Sequence, residues 1–153
     1  MLTICDSHIL IFWQDDPKRL STKASLTLEQ ALANKSLTCS DISFWEIAML
    51  FKSGRLRNNI SAEQYMNDII LTMSLTVLPV TSEIATLSQK DIFINKDPAD
   101  RLIASTAIAN KAPLISADTK LQNIDALNII WSSYPYCKTM SAIALAITAT
   151  RKS

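Results

Sequence analysis

Short apolar runs alternate along the chain with longer stretches in which apolar residues recur at helical spacing. Leu2 to Cys5 is a short apolar run ending at Asp6 and predicts a buried parallel strand. Ile9 to Trp13 continues apolar until Asp15-Asp16-Pro17 breaks the pattern as a loop. Ser21 to Asn34 predicts a helix with Leu26, Leu28 and Leu32 on or near one face, and Leu37 to Cys39 a second strand. Ser43-Phe44-Trp45-Glu46 has the spacing of a capping box. It predicts a helix that opens at Ser43, runs through Lys52 and stops at Gly54. Ser61 to Met73 is a further helix, with Tyr65, Met66, Ile69, Ile70 and Met73 at helical spacing, a pattern of core residues more often than of a partner surface.

The second half repeats the alternation. Leu75 to Val80 is a third strand, Ser82 to Lys90 a helix, and Asp97-Pro98 opens a helix that reaches about Asn110. Pro113 to Ser116 is a fourth strand ending near Asp118, and Leu127 to Trp131 a fifth. Strands alternating with helices indicate an α/β sandwich around a mainly parallel sheet. Right-handed crossovers put the C-terminal strand ends along one edge, where open α/β sheets bind ligands. This pattern occupies residues 1–131. Residues 132–153 form a C-terminal extension in which Thr139 to Thr150 has the composition of a short helix.

Composition narrows the classes. A chain of 153 residues fits one domain with an ordinary core, and 48% apolar with 19% charged residues is a globular composition. The net charge is +1, so any nucleic-acid contact has to come from a local basic cluster. Cys5, Cys39 and Cys137 form no C-x-x-C pair, which argues against zinc. Cys5 and Cys39 read as buried strand thiols, and reduced thiols suit the cytoplasm. The start lacks a basic signal-peptide n-region, and Ala142 to Ala149 is far shorter than the ~20 residues that span a bilayer. The expectation is a soluble, cytoplasmic protein without membrane contact.

With one glycine there is no Walker A loop and no dinucleotide-binding G-x-G-x-x-G. With His8 as the single histidine there is no zinc-protease motif, and no G-x-S-x-G elbow presents a serine nucleophile. Carboxylates remain. Asp6 follows the first strand, Glu46 lies in the helix after the second, Asp100 in the helix after the third, and Asp118 follows the fourth. All four would meet at the C-terminal edge of one parallel sheet. Clustered carboxylates repel one another, and a hard divalent cation with oxygen ligands is the compensating charge that suits them. Mg²⁺ or Mn²⁺ held this way suits phosphodiester hydrolysis.

Each acid also has a plainer reading. Asp6 could cap a turn, Glu46 could be the fourth member of the capping box begun by Ser43, and Asp118 could be a turn residue before Lys120. Asp97 before Pro98 fits a helix N-cap, which leaves Asp100 as the metal-facing acid of that pair. Lys52, Arg55 and Arg57 around Gly54 could take RNA phosphates or could be a solvated helix end. Arg101 could pair with a local acid or approach substrate, the pair being favoured, and for His8 a packing or hydrogen-bonding role is favoured over RNA contact.

Asp6-Ser7-His8, Ser43-Phe-Trp-Glu46-Ile47 running on to Lys52-Ser-Gly54-Arg55-Leu56, Asp97-Pro-Ala-Asp100-Arg101-Leu-Ile-Ala104 and Ser116-Ala-Asp118-Thr-Lys-Leu121 together resemble bacterial PIN domains of the VapC toxin type. The loop Asp16-Pro-Lys-Arg-Leu20-Ser21 resembles one often seen in that family. Order and spacing agree from about Leu2 to Trp131. Ser7 departs from a frequent threonine, a common glycine is missing before Pro113, and no acid is lost. The resemblance implies a three-layer α/β/α PIN-like fold. It also implies a Mg²⁺- or Mn²⁺-dependent endoribonuclease, the toxin of a type II toxin–antitoxin pair, acting on tRNA, rRNA or mRNA. It assigns the metal and catalytic roles to Asp6, Glu46, Asp100 and Asp118, supports Asp97 as a further ligand, and implies a homodimer inhibited by a cognate antitoxin. The alternatives are a PIN-fold module that binds RNA or protein without cutting, and a DNA- or structure-specific nuclease using the same groove.

Overall fold

Every residue of the three central strands is buried, which is what a parallel sheet covered on both faces requires. The computed structural model describes residues 1–56 and 59–132. Within it β1 (Thr3–Cys5), β2 (Leu37–Ser40), β3 (Thr76–Leu78), β4 (Leu114–Ile115) and β5 (Ile129–Ile130) form one sheet in the order β3-β2-β1-β4-β5. Every pairing is parallel. The chain builds outward from β1 to β3, then returns to add β4 on the other side. The seam between β1 and β4 is therefore the switch point of the topology, the place where open α/β sheets form a crevice.

Neighbouring residues of a strand face opposite sides, so each strand feeds two cores. Ile4 and Leu114 pack with Ile103, Ala104 and Ala107 of α6 (Pro98–Ala109), against which α5 (Ser82–Leu87) lies. Cys5, Cys39 and Ile115 face the other layer. That layer comprises α1 (Ser7–Asp15), α2 (Thr22–Ala33), α3 (Ile42–Lys52) and α4 (Ala62–Thr72), which bring Ile9, Leu28, Ile47, Tyr65 and Ile69 against the sheet. The result is the expected three-layer α/β/α arrangement. Cys5 and Cys39 are free buried thiols, and burial drives both thiol pKa values up, that of Cys39 to about 12. Among the described residues no helix is long and apolar enough to cross a membrane.

Three expectations change. The apolar run from Ile9 to Trp13 belongs to α1, which begins directly after β1 with Asp6 as its N-cap. Its period was hidden because Ile11, Phe12 and Trp13 are half-buried as well as Ile9 and Leu10. In α2 the buried face is Ala24, Leu28 and Ala31, spaced four and three apart, while Leu26 is exposed and Leu32 half-buried. The helix after β2 starts one residue early, at Ile42, with Asp41 as N-cap. Ser43 is then inside the first turn and fully buried, so no capping box forms and Glu46 is not folded back onto the backbone. Arg57, Cys137 and residues 133–153, including the helix expected over Thr139 to Thr150, lie outside the described residues.

Helix ends show how tightly the chain turns. Gly54 has φ +76°, and the amides of Gly54 and Arg55 donate to the carbonyls of Phe51 and Leu50, a Schellman motif that stops α3 where the glycine predicted. The same pair of bonds closes α2, α4 and α6, but there the left-handed residues are Lys35 (φ 52°), Ser74 (φ 46°) and Lys111 (φ 49°). A left-handed L-residue costs about 1–2 kcal/mol, whereas glycine costs about 0.4–1 kcal/mol in unfolded-chain entropy. Lys111→Gly is thus expected to stabilise the protein by up to about 1 kcal/mol, read as a rise in the urea unfolding midpoint. A lower midpoint would show that Lys111 is held by something other than its backbone conformation.

Candidate active site

Asp6 sits at the end of the central strand with 3% of its surface exposed. Its backbone continues the sheet by donating to the Ile115 carbonyl at 3.0 Å. Its side chain turns into α1, where Oδ1 accepts from the Ser7 amide at 2.8 Å, and Oδ2 accepts from Ser116 Oγ at 2.7 Å. Capping a turn and lining the site are therefore one placement. Ser116 in turn accepts from the Asp118 amide at 3.0 Å, so the loop after β4 is tied to the carboxylate at the end of β1.

Glu46 comes from α3, which packs beside α1. Ser7 Oγ donates to Glu46 Oε1 at 2.6 Å and lies 2.9 Å from Ser43 Oγ. A serine hydroxyl has one proton, so when Ser7 serves the carboxylate the Ser43 hydroxyl donates to Ser7. Buried Ser43, an N-cap in the sequence pattern, thus holds the residue that orients Glu46. Asp100 lies in the first turn of α6, and its Oδ2 accepts from Asn95 Nδ2 at 2.7 Å. Asn95 is 9% exposed; its Oδ1 accepts from the Asp97 amide at 3.0 Å and its carbonyl from Arg101 Nε at 2.6 Å.

One carboxylate oxygen each from Asp6, Glu46 and Asp100 lie within 4.8 Å of one another. Asp97 is the N-cap of α6, with Oδ1 accepting from the amides of Ala99 and Asp100. Asp118 stands outside the triad, with Oδ1 accepting from the Lys120 amide in a short 3-10 turn, Thr119–Leu121. Both remain electrostatic neighbours. Burial pushes Asp100 up to about 7, opposed by the Asn95 hydrogen bond and reinforced by Asp6, Asp97 and Asp118. Burial likewise pushes Glu46 up to about 7, opposed by the Ser7 hydrogen bond and reinforced by Asp6 and Asp97.

Little positive charge answers this. Among the described residues the basic side chain that meets one of these acids is His8, with Nδ1 3.6 Å from Asp6 Oδ2. The Ala117 amide donates to His8 Nε2 at 2.9 Å, which places the ring proton on Nδ1 and makes the imidazole neutral while that bond stands. His8 thus has the hydrogen-bonding role favoured from sequence. Arg101 serves the Asn95 carbonyl rather than an acid. Lys52 and Arg55 are exposed at the far end of α3, with Lys52 about 9 Å along the helix axis from Glu46 at 1.5 Å per residue. The donor set is all oxygen, and among the described residues the hydrogen bonds above leave Glu46 Oε2 and Asp100 Oδ1 open to a cation. Such a set fits Mg²⁺ or Mn²⁺ and does not fit a soft or imidazole-preferring metal.

Three residues that shape the acids escaped the sequence patterns. Asn95 falls in a stretch without period, Ser43 resembled a cap, and Ser116 appeared only as the end of a strand and as part of the resemblance. The available signal was weak: a polar residue two positions before Asp97, and one two before Asp118.

Fold and site together define an α/β protein that gathers acids where a parallel sheet switches direction. The chain belongs to the PIN-domain family, whose profile matches residues 3–127. A curated relative, Ribonuclease VapC22 of Mycobacterium tuberculosis, is 30% identical over 123 residues, covering 78% of this chain and 89% of that protein. Two solved structures share the fold. VapBC2 from Rickettsia felis, bound to a DNA fragment from its promoter, has a TM-score of 0.62 at 20% identity, over 86% of this chain and 100% of that one. A toxin–antitoxin complex from Klebsiella pneumoniae has a TM-score of 0.59 at 16% identity, over 88% and 99%.

The raised carboxyls link pH to stability. Glu46 and Asp100 move from ordinary values of 4.5 and 3.8 to about 7 on folding, so between those limits the folded protein holds more protons than the unfolded chain. Their contribution to stability is complete below about pH 4 and is lost as pH rises through about 7. In EDTA the melting temperature is expected to fall between about pH 5 and about pH 8, while stabilisation by added Mg²⁺ or Mn²⁺ grows over the same interval. Glu46→Gln should flatten the metal-free profile. An unchanged profile in that variant would remove Glu46 as its source.

Proposed function

We propose that the protein is a Mg²⁺- or Mn²⁺-dependent endoribonuclease that hydrolyses RNA phosphodiester bonds and serves as the toxin of a type II toxin–antitoxin pair. The observation that carries this reading is the convergence of Asp6, Glu46 and Asp100 within 4.8 Å, with neutral His8 as the nearest counter-group. Carboxylates so placed are disfavoured unless a cation joins them, and a module that only binds has no use for them. Membership of the PIN family and the ribonuclease among its relatives supply the reaction class.

Asp6, Glu46 and Asp100 would hold the cation, with Asp97 and Asp118 adding negative charge at the rim. The cation supplies Lewis-acid stabilisation of charge on the phosphorus and lowers the pKa of bound water. The chain supplies orientation. Ser7 fixes Glu46 Oε1, Asn95 fixes Asp100 Oδ2, and Ser116 with the Ser7 amide fixes both oxygens of Asp6. Preorganised acids need little rearrangement when metal and substrate arrive.

An antitoxin and a second copy of this chain are the partners proposed, and the cytoplasm is the compartment. Trp45 (59% exposed) and Met49, one turn apart on α3 and flanking Glu46 in sequence, offer an apolar contact beside the acids for such a partner. The relatives solved as toxin–antitoxin assemblies are the basis of the antitoxin proposal.

Purified protein incubated with total RNA is expected to cut it with Mg²⁺ or Mn²⁺ and not with EDTA. Asp6→Asn should lower the rate by at least about 100-fold, the scale of loss that follows removal of a single preorganised donor to a transition state. Cleavage by Asp6→Asn at the parent rate would detach the reaction from these acids. No cleavage by folded, antitoxin-free parent on any RNA would favour the non-cutting module.

A further inference from the structure

A cavity of about 620 Å³ lies between the two loops that carry the peripheral acids. One wall is the segment before α6, with Ile92, Ile94 and Lys96, and the other is the turn after β4, with Lys120 and Ile124. Asn95 and Asp97 also line it, and Asn95 is the residue bonded to Asp100. The groove therefore adjoins the loop that holds Asp100 in place. Its composition is unusual for a surface cleft beside acids. Ile94 is 90% exposed and Ile92 also exposed, while Lys96 and Lys120 both face solvent.

We propose that this groove binds the single-stranded RNA on one side of the scissile phosphate, Lys96 and Lys120 taking phosphates while Ile92, Ile94 and Ile124 take the face of a base. The inference rests on the nuclease reading and adds to it where the substrate lies. The electrostatic argument is direct. Five carboxylates at one edge repel a polyanion, so attraction has to come from cations placed next to them. Lys96 and Lys120 stand on opposite walls of the groove that reaches Asp97. Lys52 and Arg55 sit at the other end of α3. The isoleucines of the two walls give a base somewhere to leave water without requiring a particular sequence, and exposed Asn123, on the wall of Lys120 and Ile124, offers an amide to a base edge.

The test uses full-length Asp6→Asn protein and a fluorescein-labelled single-stranded RNA of mixed sequence, with anisotropy followed across a series of KCl concentrations. Each phosphate contact on a single strand contributes about 0.7 to the slope of log affinity against log salt. Lys96→Ala with Lys120→Ala should therefore weaken binding and reduce the slope by about 1.4. Lys23→Ala with Lys35→Ala makes the same change in net charge on and just beyond α2, and should leave the slope unchanged. Ile94→Ser should lower affinity with the slope retained. In otherwise wild-type protein the lysine pair should raise KM with kcat preserved.

An unchanged slope in the Lys96/Lys120 variant, with cleavage by the parent intact, would overturn the groove and leave the nuclease standing. Unchanged RNA binding together with a change in the mass of the free protein in solution would give the groove to a second copy of this chain. A parent that neither binds nor cuts RNA would remove both readings together.

Discussion

A carboxyl group taken almost wholly out of water has to be hydrogen-bonded, and Asp6 imposes that demand at the centre of the fold. It follows the strand on which the topology reverses, so the segments that meet at the end of β1 must present polar groups at the same height. Ser7 does so from the helix that begins there, and Ser116 does so from the end of β4. The direct passage from β1 into α1 is part of this arrangement, because an intervening loop would take the Ser7 amide away from Oδ1. Ser7 then passes the constraint outward through its hydroxyl to Glu46 and Ser43 on α3. One buried acid thereby sets the relation between the sheet seam, α1 and α3.

Repulsion does the rest. Glu46 and Asp100 share raised pKa values for the same cause, burial, and both have a hydrogen bond working in the opposite direction. The two donors, Ser7 and Asn95, hold the acids in place without neutralising them. Had an arginine stood where Asn95 stands, the site would be a structural ion pair with no need of a cation. Arg101 is near enough to matter and is turned to a backbone carbonyl instead. The site is thus kept in a state that a hard divalent ion relieves.

Much of this could be read from the chain. The strand order along the sequence, the one glycine at the end of α3, and the four strand-associated acids followed from pattern and spacing. Asp97 as a cap with Asp100 beside it followed from the proline between them. What stayed hidden was local polarity that serves a distant partner. Ser43 has the spacing of a capping box, and only the packing of α1 against α3 shows its hydroxyl meeting Ser7. Asn95 has no period and no motif, and its meaning depends on a fold in the loop that brings its amide back to Asp100. The helix α1 was masked because it is apolar around most of its circumference. Asp118 was read as an equal of the other three acids. It lies outside the three acids whose oxygens come within 4.8 Å of one another, with Oδ1 bonded to the Lys120 amide of the turn that follows.

The rim of the site has a regularity that bears on how a nuclease can be acidic at its centre and still hold a polyanion. Lys96 precedes Asp97 directly, and Lys120 follows Asp118 by two residues, so each peripheral acid has a cation on the same short segment. Covalent spacing keeps each cation within reach of its acid whatever the loops do. The caps then aim them. Asp97 is drawn inward by the amides of α6 and Asp118 by the amide of Lys120 itself, which leaves both ammonium groups in solvent. The two loops thus set positive charge beside the acids although the whole chain has a net charge of only +1. In the groove proposed above, this local alternation of sign along the backbone would do the work that a basic domain would otherwise do.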